Sequence, residues 1–523
     1  MNCDFIVVGS GINSLVCALL LSKKGHRVLV LERNERLGGC MRSEQLTLPG
    51  FIHETLSCWY PLFVTSPAWQ LLRTDLEGRG VTFCNTSTPT GVMLADGRHL
   101  IMRSSREANI AAMNTLCAGE GDRYAAAMVE FEKTLDLTFA VLGPGLRSYV
   151  TAQTFLKAWW RQGAGEMLEF AKQGLQSARA WLESTFESEV VRACLGTWTL
   201  HAGVGPDATS SAQMARLIPF TLEAVGAPVV KGGSDHLVQA FAQLIRANGS
   251  ELVVNADVAR VLVRNGEARG VADSTGHEYF ASKGVICSVA PGQLYTRLLS
   301  NNQVPPRILN QVRQFRHGRA GMQIHLALAK PARWSIPEFG EVAVLHLTES
   351  LAAVSRAVME AETGLLPASG TIVVGQPAVL DSSRVPEGKG LLWIQILDLP
   401  PVIKGDAAGK IAVPENGRWT DGVREAYADR IIERIARHVP GLKNNILARK
   451  VLSPADLERM NINLVGGDPY GGACSLDQSL FWRPLPGTRN HDTPIRSLYH
   501  IGASTHPGAG LGGGSGYHLA MKM

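Results

Sequence analysis

Between an apolar run, Phe5 to Val8, and a stretch whose leucines recur at helical spacing stands Gly9-Ser10-Gly11-Ile12-Asn13-Ser14. Glycines at this spacing suit the binding of a pyrophosphate. Gly9 permits the tight turn and Gly11 lets the backbone approach the anion, while the helix that follows offers free N–H groups and the positive end of its dipole. Ser14 replaces a third glycine and is small enough to keep helix and strand close. Glu32 falls at the end of the next apolar run, about 20 residues after the loop, where a carboxylate accepts both hydroxyls of an adenosine ribose and repels a 2′-phosphate.

A second glycine pair follows at once in Glu32-Arg33-Asn34-Glu35-Arg36-Leu37-Gly38-Gly39-Cys40-Met41-Arg42. Gly38 and Gly39 let the chain pass close beneath a bound dinucleotide, and Arg36 or Arg42 is placed to neutralise its diphosphate. A domain for NAD alone has no need of this second approach. With it, the amino-terminal unit resembles the flavoprotein clan of amine oxidases, carotenoid desaturases and Rab escort proteins. Two later segments are similar to the same clan: Gly232-Gly233-Ser234-Asp235-His236-Leu237, followed by Val254 to Val258, and Ile286 to Pro291. The carboxy-terminal stretch Leu498 to Gly510, with Gly512-Gly513-Gly514-Ser515-Gly516, closely resembles the signature of phytoene-desaturase-like oxidoreductases, as do Gly466 to Gly472 and Arg483-Pro484.

The resemblance implies one FAD, with Gly9 to Ser14, Glu32, Arg33, Gly38, Gly39 and Arg42 at its adenosine and diphosphate. It further implies Val258 at the adenine, and Gly502, Ala503, Ser504 and Gly516 toward the ribityl chain and the isoalloxazine. It implies an FAD-dependent oxidoreductase that dehydrogenates an apolar organic substrate, its electrons leaving to oxygen, a quinone or another acceptor. A flavin amine oxidase, a redox-neutral isomerase or saturase, and a non-catalytic escort protein are the rival readings.

The elements that must position these residues can be read from the same sequence. Buried runs on either side of the first helix make a β-α-β unit of a parallel sheet. Around Asp96-Gly97 two alternating runs joined by a two-residue turn predict a hairpin. Residues 106–200 lack alternation and read as a helical insertion. Helix and strand patterns return from His236 to Ser288, and β-type runs between Ala320 and Leu399 predict a second, antiparallel or mixed sheet. The expected architecture is α/β: a discontinuous Rossmann-like FAD-binding domain from residues 1–75, 225–295 and 475–523, with a mixed α+β substrate domain from 76–224 and 296–474.

For the substrate, Trp59, Tyr60, Trp198 and Trp393, with Trp159 and Trp160, are candidates to line an apolar cavity. His201 and His506 are candidate proton acceptors, His506 being favoured because it sits inside the carboxy-terminal motif. With 45% hydrophobic residues the chain of 523 can bury large cores, and a net charge of +5 is too small for a nucleic-acid footprint. The scattered Cys3, Cys17, Cys40, Cys58, Cys84, Cys117, Cys194, Cys287 and Cys474 include no C-x-x-C pair, which predicts no metal site and a reducing, cytoplasmic setting. The motif so near the amino terminus leaves no room for a leader, and no run approaches the roughly 20 apolar residues of a membrane span. Any membrane contact is expected to be peripheral.

Overall fold

The computed structural model describes residues 2–143 and 148–523; residues 144–147, within the expected helical insertion, lie outside the described residues. The fold is α/β and is organised on two large sheets.

The first sheet runs in the order Val258–Arg264, Glu267–Asp273, Glu278–Ser288, Asn2–Val8, Val28–Leu31, Glu251–Val253, with Leu498–Ile501 beside the second half of Glu278–Ser288. Its central strands are parallel and in register, Val8 opposite both Leu31 and Cys287, and Ser288 opposite Ile501. The segments that follow these strands therefore leave from one carboxyl edge, which is where open α/β sheets hold ligands. Gly9, Glu32, Val289 and Gly502 are the first residues beyond that edge. Both faces are covered. Helices Ile12–Lys23, Ser234–Ala247 and Gly514–Lys522 bury Leu15, Leu19, Phe241 and Leu519 on the side of Val7, Val30 and Ile286, while Ile6, Val8 and Leu29 pack with Val261, Val271 and Tyr295 on the other. Full burial of each such side chain contributes about 1.5–3 kcal/mol, which is why the first strand reads as an unbroken apolar run.

The second sheet is mixed. Its order is Ile446–Leu452, Ala320–Leu328, Gly390–Leu399, Ile372–Gly375, Val344–Thr348, Thr90–Leu94, His99–Met102, and only Val344–Thr348 against Thr90–Leu94 is parallel. Period-2 alternation divides its faces. Met322, Ile324, Leu326, Ile394 and Ile396 pack against helix Asp421–Ala436 through Tyr427, Ile431 and Ile435. The opposite face carries Gln323, His325, Trp393, Gln395, Leu397 and His346. The predicted hairpin forms at Asp96-Gly97, closed by Leu94 N–H to Arg98 O at 2.8 Å. Among the described residues the stretch from Arg106 to Gly196 is mainly helical, and Ser211–Val225 is a further helix.

A buried ionic cluster ties the two sheets together beside the Gly232-Gly233-Ser234 segment. Glu54, fully buried, accepts from Arg384 Nη1 at 2.8 Å and from the Ser234 N–H at 2.9 Å, and Asp381 accepts from Arg384 Nε at 3.1 Å and from the Gly232 N–H at 2.7 Å. Burial lowers the proton affinity of Arg384, but the Glu54 and Asp381 carboxylates outweigh it and hold that affinity well above the usual arginine range. Gly232 and Ser234 thus tie the start of helix Ser234–Ala247 to this ionic cluster.

Candidate functional site

At the carboxyl edge of the first sheet lies a cleft with a cavity volume of about 290 Å³. Its walls bring together segments far apart in sequence: Gly9, Ser10, Gly11, Ile12 and Asn13; Glu32 and Arg33; Gly38 and Gly39; Val258; Gly502, Ala503 and Ser504. The amino-terminal loop and the carboxy-terminal glycines therefore share one cavity.

The loop is built for an anion. Helix Ile12–Lys23 begins at Gly11 with no side-chain cap and no acidic residue in its first turn, so no group of its own answers its leading N–H groups. Nothing lies within 4 Å of where a Gly11 Cβ would stand, whereas a Cβ on Gly39, at φ +61°, would sit 3.0 Å from Gly11 Cα. The two backbones make a cradle with its open side toward the cavity. Ser10 ties it together: its hydroxyl donates to Glu32 Oε2 at 2.6 Å and accepts from the Gly38 N–H at 3.0 Å, while the Ser10 N–H donates to the same carboxylate oxygen at 3.0 Å. Glu32 Oε1 accepts from the Asn34 N–H at 2.9 Å, so the carboxylate is already oriented by the protein and still has lone pairs for a diol.

Ser14 and Gly516 work one layer behind the cavity. Ser14 is buried, and Gly516 N–H donates to Asn13 Oδ1 at 3.2 Å. A Cβ on Gly516 would fall 1.8 Å from Asn13 O, so only glycine lets the last helix dock on the first. Ser515 fixes the Gly502 turn, its hydroxyl accepting from the Gly502 N–H at 3.1 Å and pairing with Thr505 at 2.6 Å. Of the basic residues, Arg33 and Arg297 line the cavity beside Asp257, at 3.8 and 3.5 Å. Arg42 instead donates to Glu44 at 2.7 Å, and Arg36 also faces Glu44, so both stand outside the lining.

Toward the second sheet the cavity is walled by His201, Gln395, Leu397 and Tyr470. His201 lies in the 3₁₀ turn Thr197–Ala202, and its Nε2 meets His346 Nε2 at 2.9 Å. Burial pushes His201 down to about 3 and His346 well below the usual histidine range, so both rings are neutral at physiological pH. Tyr470 donates its hydroxyl to Leu200 O at 2.5 Å, and Arg483 Nη2 bridges Tyr470 O and Ala503 O at 2.6 and 2.8 Å. Trp198 stacks 4.5 Å from His201, and Trp59 and Trp393 flank Gly375; all three belong to the apolar cluster behind Leu397 and Tyr470. Tyr60 is wholly buried and donates to Ser234 Oγ at 2.6 Å. Trp159 and Trp160, expected among the cavity walls, are instead 55% and 79% exposed on helix Tyr149–Leu175, because this helix folds back at Gly163 and turns them outward. His506 is buried outside the lining, its ring pushed down to about 4 by burial, and its backbone N–H donates to Asn490 Oδ1 at 2.9 Å.

Sequence reasoning missed His346, Gln395 and Asn461 to Leu464. The first two announce themselves only as polar residues at inward positions of otherwise apolar strands. Asn463 matters for shape, because its Oδ1 accepts from the Ala290 N–H at 2.9 Å and fixes the turn after Ser288.

Comparison with known proteins agrees with this geometry. The family described as flavin containing amine oxidoreductase matches residues 15–440. The pyridine nucleotide-disulfide oxidoreductase domain-containing protein 2 of Rattus norvegicus is 27% identical over 99% of this chain and 92% of its own length. The 4,4'-diapolycopen-4-al dehydrogenase of Metabacillus indicus is 27% identical over 97% of this chain and 93% of its own. An oxidoreductase from Methanosarcina mazei shares the fold, with a TM-score of 0.63 at 17% identity and full coverage of both chains. The chain belongs to the flavin containing amine oxidoreductase family. It is an FAD-dependent oxidoreductase.

Proposed function

We propose that this chain dehydrogenates an apolar organic substrate, introducing a double bond, at the junction of the two sheets. The observation that carries the reading is the single cavity walled at one end by Gly9 to Asn13, Glu32 and Gly502 to Ser504 and at the other by His201, Gln395, Leu397 and Tyr470. In this reading residues 1–75, 225–295 and 475–523 hold the cofactor and 76–224 and 296–474 hold the substrate. FAD, when bound, supplies acceptance of a hydride equivalent. The Gly9 to Ser14 loop and the uncapped helix bind its diphosphate, Glu32 its ribose, Arg33 adds positive charge, and Gly38 and Gly39 close beneath it. Val258 meets the adenine, and Gly516 with Gly502, Ala503 and Ser504 shapes the other end.

Leu397, Tyr470 and the tryptophan cluster behind them exclude water and favour an apolar body. That preference agrees with the carotenoid aldehyde named for the Metabacillus relative. The electrons leave to oxygen, a quinone or another acceptor. Among the described residues no helix is long and apolar enough to cross a membrane. The exposed Trp159 and Trp160, beside Lys157 and Arg161, support peripheral contact with a lipid surface as the route by which such a substrate arrives.

The test is anaerobic mixing of yellow holoenzyme with a panel of terpenes, polyenes and amines. Bleaching of the flavin band with a product two hydrogens lighter is expected for the apolar members. Bleaching by amines alone, with release of ammonia, would replace this reading by an amine oxidase. Colourless protein that gains no flavin on reconstitution would replace it by a binding module.

A further inference from the structure

Two neutral histidines, His201 and His346, stand at the substrate end, away from the residues of the cofactor end. Each neutral imidazole carries one N–H. The contact between His201 Nε2 and His346 Nε2, at 2.9 Å, needs one proton shared between those two atoms. Were His201 the donor, the proton of His346 would have to sit on its Nδ1, which is buried with no partner among the described residues. A buried N–H without an acceptor is rarer and costlier than a bare acceptor nitrogen. His346 is therefore the donor, and its Nδ1 is the bare nitrogen. The proton of His201 is left on Nδ1, the ring nitrogen that remains for the cavity this residue lines.

The surroundings carry the same bias. Trp198 lies 4.5 Å from the His201 ring and 4.7 Å from the His346 ring, and its indole N–H is buried without an acceptor among the described residues. The indole N–H groups of Trp59 and Trp393, in the same cluster, are likewise buried and unpartnered among the described residues. These indoles stand behind the cavity wall, so His201, which lines the cavity, is the donor of this group that a substrate can meet. We propose that His201, oriented by His346 and flanked by Trp198, is a donor subsite that recognises an oxygen acceptor, a carbonyl or hydroxyl, on an otherwise apolar substrate. His346 is a positioning residue, since it acts through His201. The proposal deepens the dehydrogenase reading, because it names the class of substrate for the same cavity.

The test is binding, so it needs no turnover. Holoenzyme is titrated with carvone and with limonene, which share a carbon skeleton and differ by one carbonyl, and the perturbation of the flavin spectrum gives each Kd. Carvone is expected to bind at least about tenfold more tightly, as the loss of one buried hydrogen bond implies. His201→Phe should bring the two affinities within about twofold of each other while leaving flavin content unchanged. His201→Gln, which restores an N–H, should recover part of the preference, and His346→Phe should weaken it by releasing the proton arrangement of His201. Equal affinities in the parent enzyme, no spectral response to carvone at millimolar concentration, or a preference that survives His201→Phe would each overturn the subsite. If the His201-dependent preference is found but neither compound nor its relatives bleach the flavin, the dehydrogenase reading fails and the subsite stands.

Discussion

The two ends of the cleft are made differently. The nucleotide end is mostly backbone: Gly9, Gly11, Gly39 and Gly502, a helix end without a cap, and one carboxylate held by Ser10 and Asn34. The substrate end is side chain: His201, on a 3₁₀ turn, against His346, Tyr470 against Leu200, and a cluster of tryptophans, gathered over a sheet whose other face packs on a helix. Backbone N–H groups at a helix start suit an anion whatever side chains surround them, while the side chains gathered over the second sheet can be exchanged without disturbing the first. A change at the first end should therefore remove cofactor and stability together, and a change at the second should alter preference alone.

The strongest break in that contrast is Gly516→Leu. Its Cβ would lie 1.8 Å from Asn13 O, so the last helix must leave the first. We expect colourless protein and a loss of about 3 kcal/mol or more, read as flavin content and a lowered denaturation midpoint. Normal colour and stability would show that the helices have more room than the backbone contact allows. Next is Glu32→Ala, which removes the acceptor of Ser10 as well as the ribose partner. FAD affinity should fall about 10- to 100-fold, the value of one or two hydrogen bonds to a charged group, with Glu32→Gln between the two. Unchanged occupancy would remove the assignment.

This difference in construction also explains what could be read in advance. A glycine loop between a strand and a helix is local, so the roles proposed for Gly9, Gly11, Glu32 and Gly39 are written within about 30 residues of one β-α-β unit. The return of Gly502 to the same edge needs only that Leu498–Ile501 be a parallel strand. His346 is another matter. Its place depends on Val344–Thr348 pairing with Thr90–Leu94, a register between segments distant in sequence, and a slip of one residue would turn it to the opposite face. Trp159 and Trp160 failed for a related reason: an aromatic side chain tells that apolar surface is available, not which partner covers it.

Acid sharpens the comparison, because both ends bury neutral histidines. Burial holds His201 and His491 down to about 3 and His53, His500 and His506 down to about 4, below the ordinary value near 6.5. Below about pH 6.5 the unfolded chain takes up protons that the folded chain refuses, so stability should fall steadily from there toward pH 4. A thermal midpoint that stays flat across this window would mean that these rings are solvated or paired. His201→Phe should make the decline shallower, by no more than one titrating group.

The smallest effect on stability belongs to the hairpin formed where helix Tyr149–Leu175 reverses at Gly163. Phe155 and Phe170 hold its arms together at 6.2 Å, but Trp159, Trp160 and Leu168 face solvent, and Lys157 and Arg161 stand exposed beside the tryptophans. Large exposed aromatics next to cations suit the headgroup level of a bilayer and add nothing to the fold. Trp159→Ser with Trp160→Ser should therefore change the denaturation midpoint by no more than about 0.5 kcal/mol equivalent and leave flavin content intact. Flotation with vesicles containing anionic lipid should drop severalfold in the same variant. Equal flotation of parent and variant would take the membrane role from this hairpin, and a large loss of stability would show that the tryptophans cover a surface of the protein itself.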